Sequence, residues 1–105
     1  PIMRWFTDTY LNGLAPADPS IETMFPGRRT TFNGDPPSLL VTAENDPLRD
    51  DGRRLSKTLS SAGVNVQHEH FTKEAHGFPC SEGPTPAHER FMSLATAWIE
   101  QISAP

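Results

Sequence analysis

The stretch Ser38–Ala43, SLLVTA, carries the apolar side chains of Leu39, Leu40 and Val41 on successive positions. Such a run, too short for a helix, predicts a strand covered on both faces, and therefore a parallel sheet with helices on each side. The residues that follow supply one of those helices. Leu48, Gly52, Leu55, Leu59 and Ala62 recur at spacings of four and three, with Pro47 at the first helical position and Gly63 as the stop. Val64–Phe71, VNVQHEHF, then alternates, with Val64 and Val66 on one face, and predicts a second strand nearer the sheet edge. Strand, helix, strand is a βαβ unit, and its first strand needs a neighbour on each side.

The remaining segments extend this core without closing it. Ile2, Phe6 and Tyr10 are four apart in Ile2–Leu11, which predicts an amphipathic helix ended by Asn12-Gly13. Residues 14–37 hold five prolines and no sustained period, an uncommonly long loop for a compact domain. A last helix is expected from about Pro86 to Ile102, with Ala87, Phe91, Leu94, Trp98 and Ile102 in one stripe and Thr85 as N-cap. Two strands and three helices cannot surround a full core. The fold class is therefore α/β with an incomplete sheet, and the 105 residues, opening on Pro1, read as an excised piece of a larger domain.

Composition narrows the function classes. Nine Lys plus Arg against thirteen Asp plus Glu, without a basic stripe, exclude nucleic acid as an expected partner. Cys80 is the only cysteine, so neither an internal disulfide nor a CxxC motif is available, and a reducing, cytoplasmic setting is expected. No apolar run approaches the roughly 20 residues of a membrane span.

In open α/β sheets, sites form beyond the carboxyl ends of the strands, where Asp46 and His76 fall. A carboxylate bonded to one imidazole nitrogen fixes the tautomer and leaves the other nitrogen free to take a proton. Gly77 permits the tight turn that presents the ring. Each residue also has an ordinary reading: Asp46 as a helix N-cap before Pro47, His76 as an exposed loop histidine or a ligand. His68 and His70 could face a metal, but no third ligand stands at a recognisable spacing, and a solvated or packed strand face is the simpler reading. Cys80 reads as a bystander thiol, Asp50 and Asp51 as first-turn charges, with Arg49 pairing one of them. Trp5 and Phe6 read as core or interface contacts rather than a ligand platform.

The segments AENDPLRDDG (43–52), SAGVNV (61–66) and HGF (76–78) together resemble the C-terminal third of α/β-hydrolase fold esterases and lipases of the hormone-sensitive-lipase-like family. The resemblance spans about Met3 to Ile102 and weakens through Ile21–Asn33. It implies that Asp46 is the acid and His76 the histidine of a Ser-Asp-His triad, that the substrate is a small carboxylic ester, and that no cofactor is required. A homodimer is likewise implied by resemblance. Asp51 stands where the family often has Glu, and PCSEGPTP (79–86) matches no motif. The chain contains no G-x-S-x-G nucleophile elbow and no HGGG-type oxyanion loop. LSSAG (59–63) shares only the ending of the nucleophile motif and lies at a helix end, so Ser61 is not expected to be the nucleophile. The expectation is that residues 1–105 form the C-terminal portion of one hydrolase domain, contribute two triad members and are inactive alone, the rest of the domain being their partner. Two alternatives are a non-catalytic relative serving binding or structure, and a small metal-binding or interaction domain built on His68, His70 and His76.

Overall fold

The computed structural model describes residues 2–81 and 83–105; Pro1 and Glu82, the latter within the unmatched stretch 79–86, lie outside the described residues. Residues 1–30 and 31–105 form two compact units.

The first unit opens with α1 (Ile2–Leu11). It ends where the sequence predicts: Asn12 and Gly13 both turn to positive φ, 46° and 81°, and the Asn12 amide donates to the Asp8 carbonyl. No residue of α1 is buried, and Trp5 and Phe6 are 59% and 56% exposed, meeting edge to face. They are not core residues of this chain. The expected loop 14–37 is not wholly irregular. It contains a one-turn helix α2 (Ile21–Met24) and a 3-10 turn (Pro26–Arg28), both too short to leave a period in the sequence. The Asp18 carboxylate accepts the Ser20 amide ahead of α2, and these bonds with Ser20 hold its carboxyl below the ordinary value. Ile21 is buried, and Tyr10 packs edge-on against Phe25.

The second unit is the βαβ unit with its added helix. Strand β1 (Ser38–Asn45) and strand β2 (Val66–Ala75) pair in parallel, in register Ser38 to Val66 through Ala43 to Phe71. Helix α3 (Arg49–Ser61) joins them and α4 (Pro86–Ser103) follows. The period-two geometry of the strands sorts their side chains between the helices. Leu40 and Val66 face α3 and pack with Leu55, Leu59, Val64 and Phe32. Val41, Ala43 and Phe71 face the other way and pack with Phe78, Ala87, Phe91 and Leu94. Phe71 is 2% exposed and stacks on Phe78 at 4.7 Å between ring centroids. Among the described residues the sheet has only these two strands, so it is an incomplete parallel sheet flanked by helices, and β1, whose sequence suits the middle of a sheet, has one edge without a paired strand.

The boundaries show which local forces act. At the end of α3 the Gly63 amide bonds the Ser60 carbonyl and the Val64 amide bonds the Leu59 carbonyl, each at 3.1 Å, with Gly63 at φ 84°. This is a Schellman motif whose apolar contact, Leu59 with Val64, belongs to the core. The start of α3 departs from expectation. Pro47 precedes the helix, which begins at Arg49 with no side-chain cap, because the Asp46 side chain bonds the Leu48 amide in a tight turn. Thr85 caps α4 as expected, accepting the His88 amide at 3.1 Å. Among the described residues no helix is long and apolar enough to cross a membrane.

Candidate active site

Both strands run on past their predicted ends, β1 to Asn45 and β2 to Ala75. Those two residues are the last pair of the ladder. Asp46 and His76 are therefore each the first residue beyond a paired strand end, and their side chains meet: His76 Nδ1 lies 2.9 Å from Asp46 Oδ2. The Asp46 side chain is 13% exposed, whereas the His76 ring is 65% exposed. The carboxylate is thus sheltered behind a ring that faces outward.

Asp46 is held by two donors. Its Oδ1 accepts the Leu48 amide at 2.7 Å and its Oδ2 faces the imidazole. Burial pushes the Asp46 carboxyl up, but the Leu48 amide and the His76 ring together outweigh it and hold the group below its ordinary value. An ionised Asp46 only accepts hydrogen bonds, so the proton in the shared bond sits on His76 Nδ1. In the neutral ring this leaves the Nε2 lone pair free and exposed, able to receive a proton. Asp46 is not the N-cap of α3, a position that Leu48 holds; its turn bond to the Leu48 amide and its pairing with His76 coexist because each uses a different carboxylate oxygen.

The loop after His76 is pinned to the core. Gly77 adopts φ 77°, Phe78 is buried against Phe71 and Phe91, and the Cys80 amide bonds the Gly77 carbonyl at 2.9 Å. His88, from the first turns of α4, reaches across to the Pro79 carbonyl with Nδ1 at 2.9 Å. His88 and Phe78 fix the loop that carries His76; the sequence does not single out His88, and Phe78 figures there only within HGF (76–78).

The other sequence candidates fall elsewhere. His68 Nε2 and His70 Nδ1 both lie 2.9 Å from the Thr42 hydroxyl, on the α3 face of the sheet. No group of three or more His, Cys, Asp or Glu side chains that could hold a metal ion occurs among the described residues. Cys80 is exposed with a free thiol. Arg49 pairs with Asp50 at 3.0 Å and donates to the Glu44 carbonyl at 3.2 Å. Its hydrogen bond with Asp50 raises the guanidinium value and lowers the carboxyl. Arg54 pairs with Asp51. Ser61 closes α3, which runs antiparallel to the strands for about 20 Å, so this serine is at the opposite sheet end from His76.

A family model described as the alpha/beta hydrolase fold matches residues 1–80, which includes both strands, α3 and the Asp46–His76 pair. The chain belongs to the alpha/beta hydrolase fold family. Within that family it is similar to the carboxylesterase NlhH of Mycobacterium tuberculosis, 39% identical over 77 residues that make 70% of this chain and 23% of NlhH. In structure it is similar to the esterase LipW of Mycobacterium marinum, with a TM-score of 0.87 and 26% identity over 96% of this chain and 31% of that one. DphMB1 is comparable, at TM-score 0.84 and 31% identity over 94% of this chain and 33% of that one. The chain thus spans a quarter to a third of these relatives' length.

Proposed function

We propose that Asp46 and His76 are the acid and the histidine of a serine hydrolase triad that cleaves carboxylic esters. In this reading, residues 1–105 form the C-terminal portion of one alpha/beta hydrolase domain. The nucleophilic serine and the oxyanion hole come from residues of that domain outside this sequence. The observation that carries the proposal is the 2.9 Å contact between His76 Nδ1 and a sheltered Asp46 at adjacent strand ends, with Nε2 left exposed. His76 would take the proton from the serine as it attacks the ester carbonyl, then deliver it to the departing alcohol. It would activate water in the same way to release the acid. Asp46 would orient the ring and stabilise the imidazolium that forms at each step. The similarity to NlhH and LipW, named as a carboxylesterase and an esterase, supports the substrate class.

The test is hydrolysis of short-chain p-nitrophenyl esters by the 105-residue chain and by the longer polypeptide that carries it. The chain alone is expected to be inactive, because it has no serine elbow to form the acyl-enzyme. The longer polypeptide is expected to be active, and Asp46→Asn should lower kcat by about 10⁴-fold. Hydrolysis by the isolated chain that is abolished by His76→Ala would overturn the division of the triad. An inactive longer polypeptide without a nucleophile elbow would leave the non-catalytic alternative.

A further inference from the structure

The ladder between β1 and β2 is uniform up to Ala43 and Phe71, and its next pair is Asn45 with Ala75. Over that interval β1 advances two residues while β2 advances four. The two additional residues decide whether the acid and the histidine meet. With an unbroken ladder Asn45 would pair with Lys73, Asp46 would stand opposite Glu74, and His76 would lie two residues further on, roughly 6–7 Å along the strand. The irregularity brings His76 back level with Asp46. Bulges of this kind re-aim side chains beside active sites.

A bulge needs something to hold it, because Lys73 sits at φ 68°, the left-handed region that a lysine seldom occupies. Two side chains of β1 grip that residue's backbone. The Glu44 carboxylate accepts the Lys73 amide through Oε2 at 2.6 Å, and the Asn45 amide Nδ2 donates to the Lys73 carbonyl at 3.3 Å. The Glu44 peptide is itself tied to the start of α3, where Arg49 Nη1 reaches its carbonyl at 3.2 Å. Glu44 is exposed on the surface, so its carboxylate is not needed to fill the core. Its charge-assisted bond goes to an amide that the bulge removes from the regular ladder.

We propose that Glu44 is a positioning residue for the Asp46–His76 pair: by clamping the Lys73 amide it stabilises the two-residue bulge that sets His76 level with Asp46. Glu44 touches neither reacting atom, and its effect on ester hydrolysis rests on the function proposed above. Its effect on the geometry of the pair does not, so the primary readout is made on the pair itself.

The experiment is long-range ¹H–¹⁵N NMR of the His76 imidazole in the 105-residue chain at a pH where Asp46 is ionised and the ring neutral. The Asp46 contact should select the Nδ1–H tautomer in the unsubstituted chain. Glu44→Ala should lose that tautomer. Glu44→Gln should keep it, because the amide oxygen still accepts the Lys73 N–H. Glu44→Ala combined with Lys73→Gly should regain it, because glycine holds the positive φ unaided. Retention of the Nδ1–H tautomer in Glu44→Ala would overturn the proposal. So would failure of both Glu44→Gln and the Lys73→Gly combination to keep it, or its absence from the unsubstituted chain. In the longer polypeptide Glu44→Ala is expected to lower kcat about 100-fold with KM little changed. If the tautomer follows the predicted order and kcat does not, the esterase reading fails and the positioning role stands.

Discussion

Asp46 joins the start of α3 to the candidate active site, and its protonation should register in both. Its carboxyl is held below the ordinary value by the Leu48 amide and His76 against the opposing effect of burial. The sign follows: its contribution to stability is complete above the ordinary carboxylate value and is lost as pH falls through the lowered folded value. Asp46→Asn should therefore be less stable at neutral pH and should lose less further stability on acidification to about pH 3. Urea unfolding across that range measures both effects. Asp50 shifts the same way through Arg49 but is retained in the variant, so the difference between the two curves belongs to Asp46. A second prediction concerns Gly52, where a Cβ would stand 2.7 Å from Thr42 Cγ2. Thr42 is buried and its hydroxyl is engaged by two histidines, so the methyl cannot easily turn away. Alanine gains about 1 kcal/mol in helix propensity, against an overpacking cost of about 1–3 kcal/mol. Gly52→Ala should be destabilising by about 1 kcal/mol on these terms. Thr42→Ser, which removes the methyl, should offset the added clash in a double-mutant cycle.

Among the elements, the sequence is most informative where one short-range rule decides. α1 has its predicted limits, β1 and β2 are parallel, and the Gly63 stop is found because only a left-handed residue closes that helix end. Thr85 was legible for the same reason. Thr85→Ala removes the bond to the His88 amide and should cost about 1 kcal/mol, seen in thermal unfolding. What the sequence did not disclose depends on contacts between elements. Nothing in the residues T-K-E marks Lys73 for a left-handed conformation, because the clamp comes from Glu44 and Asn45 on the neighbouring strand. Pro47 suggested a helix start two residues early, since its fixed φ suits a turn as well as a first helical position. The placement of Asp46 and His76 at strand ends was readable, but their contact depends on the bulge.

The whole molecule follows from what the sheet lacks. SLLVTA reads as a central strand, yet among the described residues β1 has one paired neighbour, and Trp5, Phe6, Ile99 and Ile102 remain exposed. Large exposed apolar side chains and a free strand edge favour association. The isolated chain should show concentration-dependent self-association in sedimentation, reduced when the rest of an alpha/beta hydrolase domain is present. The crossover through α3 has a different consequence. Asp46 and His76 lie thirty positions apart and are brought together inside one βαβ unit. Their alignment is stored in a single strand pairing, its bulge and the loop that the start of α4 holds. An acid–histidine pair built this way is a portable part: transplanted as an intact cassette, residues 38–91 would carry the alignment with them, whereas a graft of the two end residues alone would leave it behind.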